Sequence, residues 1–456
     1  MNTDSRPWYR QLEPYHWFVF IIASAAWFFD CLDQRLFTLA RIPALEALVP
    51  KSDAAGVLRD VPAVAKSVTA IFLIGWGIGG VIFGALGDRH GRAKMLTLTV
   101  LLYSIFTGLT FFSRSYWDFA LYRFLTGLGV GGVFGLAVAL IAETVPNGAR
   151  TGALGMLQTL SAIGNISASG CKYIVDHLQQ NGTIEAGTGW RWMFLFGAVP
   201  AFLVIFTGKW LREPEPWLRQ KEAGLLPKGG LLAPYAGLLA DARWRKNLLI
   251  GVILASTGVI GLWAIGEYAP DLQRNVFANY FRAEGKTDVK EIDALVNGAI
   301  SKAFLLQQLG AAAGMWLFTW VAMATGRRRA FAIGYSAAFI ITFLVYWKMN
   351  SPTDAYWMMP LMGAAQLSVF AGFAIYLPEL FPSRLRSTGT SFCYNIGRFA
   401  AAGGSFFSAA LATQAFGQFG SPLKERYAAM AMCSIFLVGL ITLPFAPETK
   451  DEPLPE

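Results

Sequence analysis

The chain has 456 residues, of which 55% are hydrophobic and 15% are charged. Soluble domains carry about 25% charged residues, so this composition excludes an ordinary soluble protein and indicates a chain that lies mostly in lipid. The formal net charge of +9 could suggest nucleic acid. However, the basic residues are spread over short segments between apolar runs and form no basic domain or arm. We therefore expect no nucleic-acid partner.

Metal, cofactor and nucleotide sites are not indicated. Cys31, Cys171, Cys393 and Cys433 all fall within hydrophobic segments, and with three histidines in the chain they show no metal-binding spacing. The GxGxxG string at 127–132 lies inside an apolar run with no preceding strand, where glycines permit close helix packing. Tyr280 stands where a phosphate loop ending at Thr287 would need its first glycine. We expect no enzyme activity, no cofactor and no ATP site.

Apolar runs long enough to cross a hydrocarbon core of about 30 Å recur along nearly the whole chain. The predicted spans cover residues 16–37, 65–86, 95–112, 117–142, 150–176, 190–211, 247–273, 299–323, 330–349, 355–378, 387–413 and 426–446. The first run is long, ends in charged residues and lacks a cleavage pattern, so it is a helix and not a removed signal peptide. An even number of spans places both termini on one side.

The distribution of Lys and Arg predicts which side that is. Basic residues concentrate in Asp88–Lys94, Arg212–Lys246 and Arg327–Arg329, all on the side of the termini. The opposite loops carry fewer basic residues and several acidic ones. We expect an integral protein of a bacterial inner membrane with both termini in the cytoplasm.

Three motifs of the first half recur in the second half at nearly constant spacing, which indicates an internal repeat. The matches are Glu143, Pro146 and Arg150 with Glu379, Pro382 and Arg386 at an offset of 236 residues, Gly91 and Arg92 with Gly326 and Arg327 at 235, and Pro214 and Glu215 with Pro447 and Glu448 at 233. Such repeats surround a midplane site in many transporters. We divide the chain into a six-helix half (1–211), a linker (212–246) and a second six-helix half (247–456).

Residues 84–92 read Gly-Ala-Leu-Gly-Asp-Arg-His-Gly-Arg, which matches the GxxxDRxGR loop of the major facilitator superfamily. Arg123 in the fourth span, Trp190 and Arg191 before the sixth, and the sequence at 447–450 after the twelfth extend the resemblance over essentially the whole chain. The sequence is thus identified as a member of that superfamily, which implies an all-α membrane fold of twelve helices in two pseudo-symmetric halves.

The loop residues that would act as a gate are Gly84, Asp88, Arg89, Gly91 and Arg92. Glycines allow a tight turn and close helix approach, while Asp88 can bond a neighbouring helix end in one conformation and release it in another. The alternative is a charge cluster that only sets topology. The second-half counterpart, Thr325–Arg329, has no acid at the Asp88 position, so the two latches should differ in strength.

The resemblance assigns a further gating role to two repeated motifs. Glu143 with Arg150, and Glu379 with Arg386, resemble the cytoplasmic charge networks that hold the outward-facing state in this superfamily. The alternative is helix capping at a proline-containing turn.

Charges inside the spans point to coupling, because an unpaired ion in hydrocarbon costs several kcal/mol. Asp30 and Asp33 lie about 6 to 10 Å inside the outer end of the first span, and Arg123 lies about 9 Å deep in the fourth. A carboxylate that pairs with Arg when ionised and is released when protonated is a proton-biased switch. The run 29–33 resembles the DGxD signature of aromatic acid and other metabolite:proton symporters. A permanent ion pair that fixes helix packing is the alternative.

Arg398 is the candidate for substrate binding. It lies about 18 Å beyond Arg386 along the eleventh span, near the midplane, and no acid of the second half shares its depth. Its planar fork suits a carboxylate, although acids or carbonyls not identified from the sequence could pair with it instead. The string Tyr394, Asn395, Ile396, Gly397 and Arg398 resembles the eleventh helix of carboxylate symporters of the sialate and lactate type, so Tyr394 and Asn395 join the predicted site.

Two glutamines keep a sugar interpretation open. Gln158 is predicted to hold the substrate together with Arg398, Asn395 and Tyr394. It resembles a sugar-contacting glutamine of sugar porters, but the seventh span lacks their double glutamine and Ala374 replaces their cavity tryptophan. Gln307, beside Gln308 in the eighth span, could bind a polar ligand or pack between helices. Arg35 is close enough to the outer surface to extend into water, so it receives no role.

These observations predict proton-coupled symport of a small organic anion, a monocarboxylate or an acidic sugar, by a monomer working by alternating access. The alternatives are a neutral sugar or polyol porter, and a transporter-like sensor that binds its ligand without moving it.

Overall fold

The computed structural model describes residues 6–50, 61–185, 187–266, 268–420 and 422–455, and these residues form helices without any strand. The first half contains α1 (Pro14–Leu48), α2 (Val61–His90), α3 (Arg92–Thr110), α4 (Tyr116–Thr144), α5 (Asn147–Gln180), and a sixth span made of α6 (Gly189–Gly197) and α7 (Leu203–Trp210). The predicted linker carries two short helices, α8 (Glu215–Glu222) and α9 (Ala233–Ala240).

The second half begins with a span made of α10 (Ala242–Ile260), a π-helical turn (Gly261–Ile265) and α11 (Tyr268–Ala283). It continues with α12 (Val289–Thr325), α13 (Arg327–Lys348), α14 (Pro352–Tyr376), α15 (Arg386–Ala410), and a last span made of α16 (Leu423–Met432) and α17 (Ile435–Thr442).

Ten stretches of the described chain are long and apolar enough to cross a membrane. The two remaining predicted spans lie in α5 and α15, which have 34 and 25 residues and are therefore long enough. They are less apolar because they carry the buried polar side chains Gln158, Asn395 and Arg398. The prediction of twelve spans in an all-helical fold is confirmed, and its two most polar members are the helices that carry candidate substrate residues.

Two helices extend well beyond the predicted spans. The helix α1 continues to Leu48 where the prediction ended at 37, and α12 begins at Val289 where the prediction began at 299. Apolarity marks only the part of a helix that lies in lipid, so these ends were missed. The real limits are set by local chemistry: Pro50 follows α1, and the Asp288 side chain caps α12 by accepting a hydrogen bond from the Lys290 N–H.

The two halves are packed in the same way. In the first half α2 lies along α4 and α1 along α5, and in the second half α12 lies along α14 and α10 along α15. The halves meet along two seams, α2 with α15 and α5 with α12. Since α2 corresponds to α12 and α5 to α15 in the repeat, the two seams are equivalent contacts.

Glycines bring the paired helices of each half into backbone contact. A Cβ added to Gly79 would lie 2.0 Å from the carbonyl oxygen of Leu128, and one added to Gly131 would lie 2.1 Å from that of Trp76. On α12, an added Cβ at Gly314 would lie 2.2 Å from a carbonyl oxygen of α14. No other residue fits so close an approach, so the glycines around 127–132 serve helix packing, as predicted.

The turn between α2 and α3 depends on Gly91, whose φ is 113°. The carboxylate of Glu213 accepts hydrogen bonds from the Ala93 and Lys94 N–H groups at 3.1 and 3.0 Å and so caps α3. Burial raises the pKa of Glu213 above its ordinary value, against the opposing effect of these N–H groups.

The turn between α12 and α13 repeats this arrangement. Gly326 has a φ of 100°, and Glu448 accepts from the Arg327 and Arg328 N–H groups at 2.9 and 3.1 Å. The equivalent of Glu448 is thus Glu213, at the offset of 235 residues found for the two glycines. The sequence match of Glu215 with Glu448 was wrong, because it followed the Pro-Glu letters and not the capping position.

We predict that Gly91→Ala destabilises the protein. Alanine at this position would have to adopt a φ of 113°, which L-residues rarely do. Its Cβ would also lie 2.2 Å from Oε1 of Glu213. Strain of this kind costs about 1–3 kcal/mol, so the thermal unfolding midpoint in detergent should fall. Gly208→Ala is the control, since nothing lies within 4 Å of its added Cβ. Equal midpoints for the two variants would contradict the capping role.

Candidate functional site

The described residues near the two termini lie at one end of the helix bundle. The Pro455 carbonyl accepts a hydrogen bond from Arg386 at 2.9 Å, and a Cβ added to Gly152, near the start of α5, would meet the Trp8 ring. We call this end, which also carries Asp88 and Arg92, the terminal end, and the other the opposite end.

Asp88 joins the two halves at the terminal end. Its carboxylate, fully buried, accepts from the Ser387 N–H at 3.1 Å, the Thr388 N–H at 2.8 Å and the Thr388 hydroxyl at 2.6 Å. These groups form the first turn of α15, where a negative charge is stabilised by the helix dipole. Gly84 allows the approach, since an added Cβ would lie 2.6 Å from the Ser391 Cβ. This geometry suits the predicted latch.

Glu143 binds two arginines, one from each half. Its carboxylate contacts Arg92 Nε at 3.1 Å and Arg386 Nη1 at 2.6 Å, and it accepts from the Ser383 hydroxyl at 3.1 Å. Arg92 also contacts Asp88 at 3.0 Å and donates to the Ser383 carbonyl. All four charged side chains are buried, so the α2–α15 seam is closed here by a continuous charge network.

The second seam carries a weaker version of this network. Arg327 binds Glu379 through two hydrogen bonds of 2.7 and 3.1 Å and reaches across to the Thr151 hydroxyl of α5 at 2.7 Å. No carboxylate stands at the Asp88 position of this half. The predicted asymmetry of the two latches therefore has a structural counterpart: a carboxylate at one seam and a neutral hydroxyl at the other.

Two sequence assignments need correction. Glu143 was grouped with Arg150, and Glu379 with Arg386, but Glu143 pairs with Arg386 of the other half, whereas Arg150 donates to the Ala142 carbonyl at 2.9 Å and to Asn147. Residues of one motif are close in sequence, yet the seam brings together residues from different motifs. Arg89 is half-buried and makes no ion pair within the described residues, so of the charged residues in this loop only Asp88 and Arg92 join the network.

The linker reinforces the terminal end. The Trp217 indole of α8 donates to the Asp88 carbonyl at 2.8 Å, and the Tyr235 hydroxyl of α9 donates to the Val81 carbonyl at 2.7 Å. The Tyr235 ring also packs against Phe392 of α15, with 5.5 Å between centroids. Nothing in the sequence distinguished these two aromatic residues from ordinary interface residues, so they were missed.

Asp33 and Arg123 come together as their depths predicted. The Oδ2 and Nη1 atoms are 3.6 Å apart, and both side chains are fully buried. The Thr107 hydroxyl donates to Asp33 at 2.8 Å, and Arg123 donates to the Thr110 hydroxyl at 2.7 Å. Arg123 also lies over the Phe194 ring at 4.7 Å. At 3.6 Å the pair is an ion contact longer than an ordinary hydrogen bond.

Asp30 makes no ion pair with Arg123. Its Oδ1 accepts from Gln34 at 3.0 Å, while Oδ2 is buried and has no hydrogen-bond partner in the described part of the chain. Its charge interacts with that of Arg398 from the second half. The prediction paired both aspartates with Arg123, but the structure brings only Asp33 to it.

Arg398 reaches from the second half into the first. Its guanidinium lies 3.4 Å from the centroid of Trp76 on α2 and 4.9 Å from that of Tyr394, and Nε donates to Asn395 at 3.2 Å. Only 3% of the residue is exposed, and no carboxylate of the described residues lies within ion-pair distance. A cation is therefore held at the seam by aromatic rings, with Asp30 as the nearby acid.

Tyr394 and Asn395 support Arg398. The Tyr394 ring stacks on Phe134 of the first half with 3.7 Å between centroids. The Asn395 amide donates to the Gly131 and Ser391 carbonyls at 3.2 and 2.8 Å while its oxygen accepts from Arg398. Both hydrogen-bonding ends of Asn395 are thus occupied in this conformation, so it positions the arginine rather than offering a free group to a ligand.

The glutamines predicted from the sequence have different surroundings. Gln158 is buried, and its Oε1 has no partner within the described ranges. Gln308, not Gln307, reaches the α5–α12 seam, where it accepts from Asn165 at 3.1 Å. Gln307 is half-buried, and its backbone lies against Gly363 of α14. A shift of one residue turns a helical side chain by about 100°, which the sequence alone could not resolve.

Several other buried polar atoms around Asp30 have no hydrogen-bond partner among the described residues, including Trp27 Nε1 and Tyr103 Oη. Buried polar atoms in proteins are normally hydrogen-bonded. Trp27 packs against Phe134 and Tyr394, and the charge of Asp30 acts on Tyr103. Together with Asp30 and Arg398, these residues form a candidate site for a ligand that has both aromatic and polar neighbours. No group of residues suited to a metal is found in the described chain.

We predict that Glu143→Gln opens the terminal end. The change removes both ion pairs while leaving Arg92 and Arg386 buried, and loss of one partner of a buried pair costs about 3–5 kcal/mol. The thermal unfolding midpoint in detergent should fall, and trypsin should cleave the linker faster. Glu215→Gln is the control, because its pair with Arg219 is 82% exposed on the carboxylate side and contributes little. Matching curves for the two variants would argue against a closed network.

A family model described as sugar (and other) transporter matches residues 23–225 and 300–456. The sialic acid transporter NanX of Escherichia coli is 25% identical over 437 residues, covering 94% of this chain and 95% of that protein. The cis,cis-muconate transport protein of Acinetobacter baylyi is 26% identical over 383 residues, covering 84% of each chain.

Among solved structures, the proton:xylose symporter XylE, bound to 6-bromo-6-deoxy-D-glucose, superposes with a TM-score of 0.73 and 20% identity, covering 96% of this chain and 98% of the symporter. At this identity the match concerns the fold.

Proposed function

The chain belongs to the sugar (and other) transporter family of the major facilitator superfamily, and on that premise we propose that it carries a small organic anion together with protons. The anion is a monocarboxylate or an acidic sugar. The protein works as a monomer in a bacterial inner membrane, with the terminal end toward the cytoplasm and its two halves, 1–211 and 247–456, rocking about the seams.

The observation that carries this proposal is the environment of Arg398. A buried cation needs a counter-charge at membrane depth, and the described residues offer Arg398 aromatic rings and no carboxylate within ion-pair distance. Its hydrogen-bonding partners here, Asn395 and Tyr394, are neutral side chains, so a ligand carboxylate would supply the missing counter-charge. A carboxylate is the ligand that this planar fork binds best.

Asp30 supplies a physical link between anion and proton. Its charge acts on Arg398, and a substrate carboxylate at Arg398 would bring a second negative charge close to it. Two adjacent carboxylates favour protonation of one of them, so anion binding and proton uptake at Asp30 would strengthen each other.

Asp33 and Arg123 provide the second switch. The ion contact of 3.6 Å bridges α1 and α4 within the first half, so protonation of Asp33 would free both helices to shift relative to each other. The closed Asp88 and Glu143 networks at the terminal end must then break before the anion can leave toward the cytoplasm.

The relatives support an anion over a neutral sugar. Muconate and sialic acid, named for two of them, are carboxylates, and a site for either requires a cation. A neutral sugar or polyol remains the second candidate because the structural neighbour XylE is a xylose symporter and because the buried Gln158 amide oxygen has no hydrogen-bond partner among the described residues. A sensor that binds without transport is the third.

Uptake into proteoliposomes under an imposed pH gradient separates these candidates. Lactate, sialic acid, benzoate, cis,cis-muconate and glucose are the test compounds. Accumulation of a carboxylate, and its dependence on the proton gradient, would support the proposal. Uptake of glucose alone would favour the sugar porter, and binding without any uptake would favour the sensor.

We predict that Arg398→Ala abolishes anion uptake and that Arg398→Lys retains a small part of it with a raised KM, because a point charge cannot make two parallel hydrogen bonds. Losing a charge-assisted contact of about 1.5–3 kcal/mol lowers affinity by about tenfold to a hundredfold. Arg282→Ala, which changes an exposed arginine of α11, is the control. Size-exclusion profiles establish that the variants fold. Normal uptake by folded Arg398→Ala would disprove the anion site.

We predict that Asp33→Asn uncouples transport. The amide removes the charge that Arg123 contacts, so the switch stays in its released state whatever the pH. Gradient-driven accumulation should be lost while exchange of labelled for unlabelled anion continues. Asp176→Asn is the matched control, since that acid is 44% exposed and pairs with Lys172 on the same helix. Persisting accumulation in Asp33→Asn would remove Asp33 from the coupling mechanism.

A further inference from the structure

Arg35 has no role predicted from the sequence beyond extending into water, but the structure shows it half-buried against the other half. Its guanidinium lies 3.8 Å from the centroid of Phe304, so a cation of α1 in the first half stacks on a ring of α12 in the second. Its Nε is buried without a hydrogen-bond partner, and no carboxylate lies within ion-pair distance, as far as the described residues extend. The nearby Arg41 adds a second positive charge.

The contact lies on the surface by which the halves meet. Phe304 is four residues from Gln308, which bonds Asn165 across the α5–α12 seam, so both project from the same face of α12. Counted from the terminal ends of their helices, Arg35 and Phe304 both lie about 31 Å along the bundle, whereas Arg398 lies about 18 Å along it. Arg35 is therefore about 13 Å closer to the opposite end than Arg398.

The energies allow an anion to replace the ring. A cation–π contact with one ring is weaker than a pair of hydrogen bonds to a charged group. A carboxylate that reaches Arg35 can make two such bonds with the guanidinium fork. It would gain more than the Phe304 contact provides, and a neutral ligand of the same shape would not.

We propose that Arg35 and Phe304 form a second, outer carboxylate-binding site that also closes the opposite end. An arriving anion binds Arg35 and displaces it from Phe304. The loss of this contact separates α1 from α12 and lets the anion move toward Arg398. The inner step of this route rests on the proposed function. The outer site, in contrast, is defined by the seam contact and can be tested without transport.

The first experiment measures the distance between α1 and α12 at the opposite end. Spin labels are placed at Ile42 of α1 and Leu295 of α12, both exposed toward the opposite end, in a variant whose native cysteines are replaced. The distance between the two labels is measured in detergent by pulsed electron paramagnetic resonance spectroscopy. Arg35→Gln and Phe304→Leu should both shift the distances to longer values, because each removes the cross-seam contact.

The matched control is Arg41→Gln. Arg41 lies on the same helix and carries the same charge, but it donates to Thr69 of its own half at 2.7 Å, so its loss should leave the label distance unchanged. Arg35→Lys should also keep the short distance, since an ammonium still stacks on the ring.

The second experiment tests the ligand class with benzoate and its neutral analogue benzamide. Benzoate should lengthen the distance in the parent protein and have no effect in Arg35→Gln, while benzamide should have no effect in either. In Arg35→Lys the response to benzoate should need about tenfold more anion, because only a point charge remains.

An unchanged distance in both Arg35→Gln and Phe304→Leu overturns the gate, and an equal response to benzoate and benzamide overturns the anion site. Failure of the proposed symport gives a different result: proteoliposomes take up no carboxylate while the label distances still respond to benzoate and to Arg35→Gln. Uptake that is normal in the parent and has the same KM in Arg35→Gln would also count against an outer site on the route.

Discussion

The structure depends on how charges are kept at membrane depth, where each ion must meet an opposite charge, a polarised group or a ring. The described residues use all three solutions. Glu143 binds arginines from both halves, Asp88 sits at the start of α15, and Arg398 lies against Trp76. In each case at least one partner belongs to the other half, so groups that make burial tolerable are also groups that would separate in the proposed movement of the halves. A change of conformation in this molecule would therefore break the same contacts that stabilise its buried charges.

Much of the architecture follows from the sequence. Apolar length gives the spans, and the repeat gives the two-fold relation, which the structure shows in detail as Gly91 with Gly326 and Glu213 with Glu448. Helix ends were less predictable because lipid-crossing length does not report where a helix stops in water. The linker contacts of α8 and α9 were not predictable either, since an indole or a phenol that bonds one distant carbonyl leaves no pattern in the sequence.

The site was partly predictable for a geometric reason. Depth along a helix follows from residue number, and it matched Asp33 with Arg123. The direction in which a side chain points around the helix axis is harder to predict. Residues three apart differ in direction by about 60°, which at a seam lets Asp30 and Asp33 face different halves. The same limit explains the exchange of Gln308 for Gln307. Partners such as Glu143 and Arg386, 243 residues apart, follow only from the way the two repeats meet.

The double attachment of Glu143 has a consequence for the open state. In the proposed open state this carboxylate would keep Arg92 of its own half, so only Arg386 would be left to be hydrated. Arg150 has no carboxylate partner within ion-pair distance among the described residues even in the closed form. The widening mouth would therefore be lined by uncompensated guanidinium groups, and its potential would be positive at the moment of release. A departing anion would leave through a region that attracts it, which slows its escape and favours its return when its concentration outside that mouth is high.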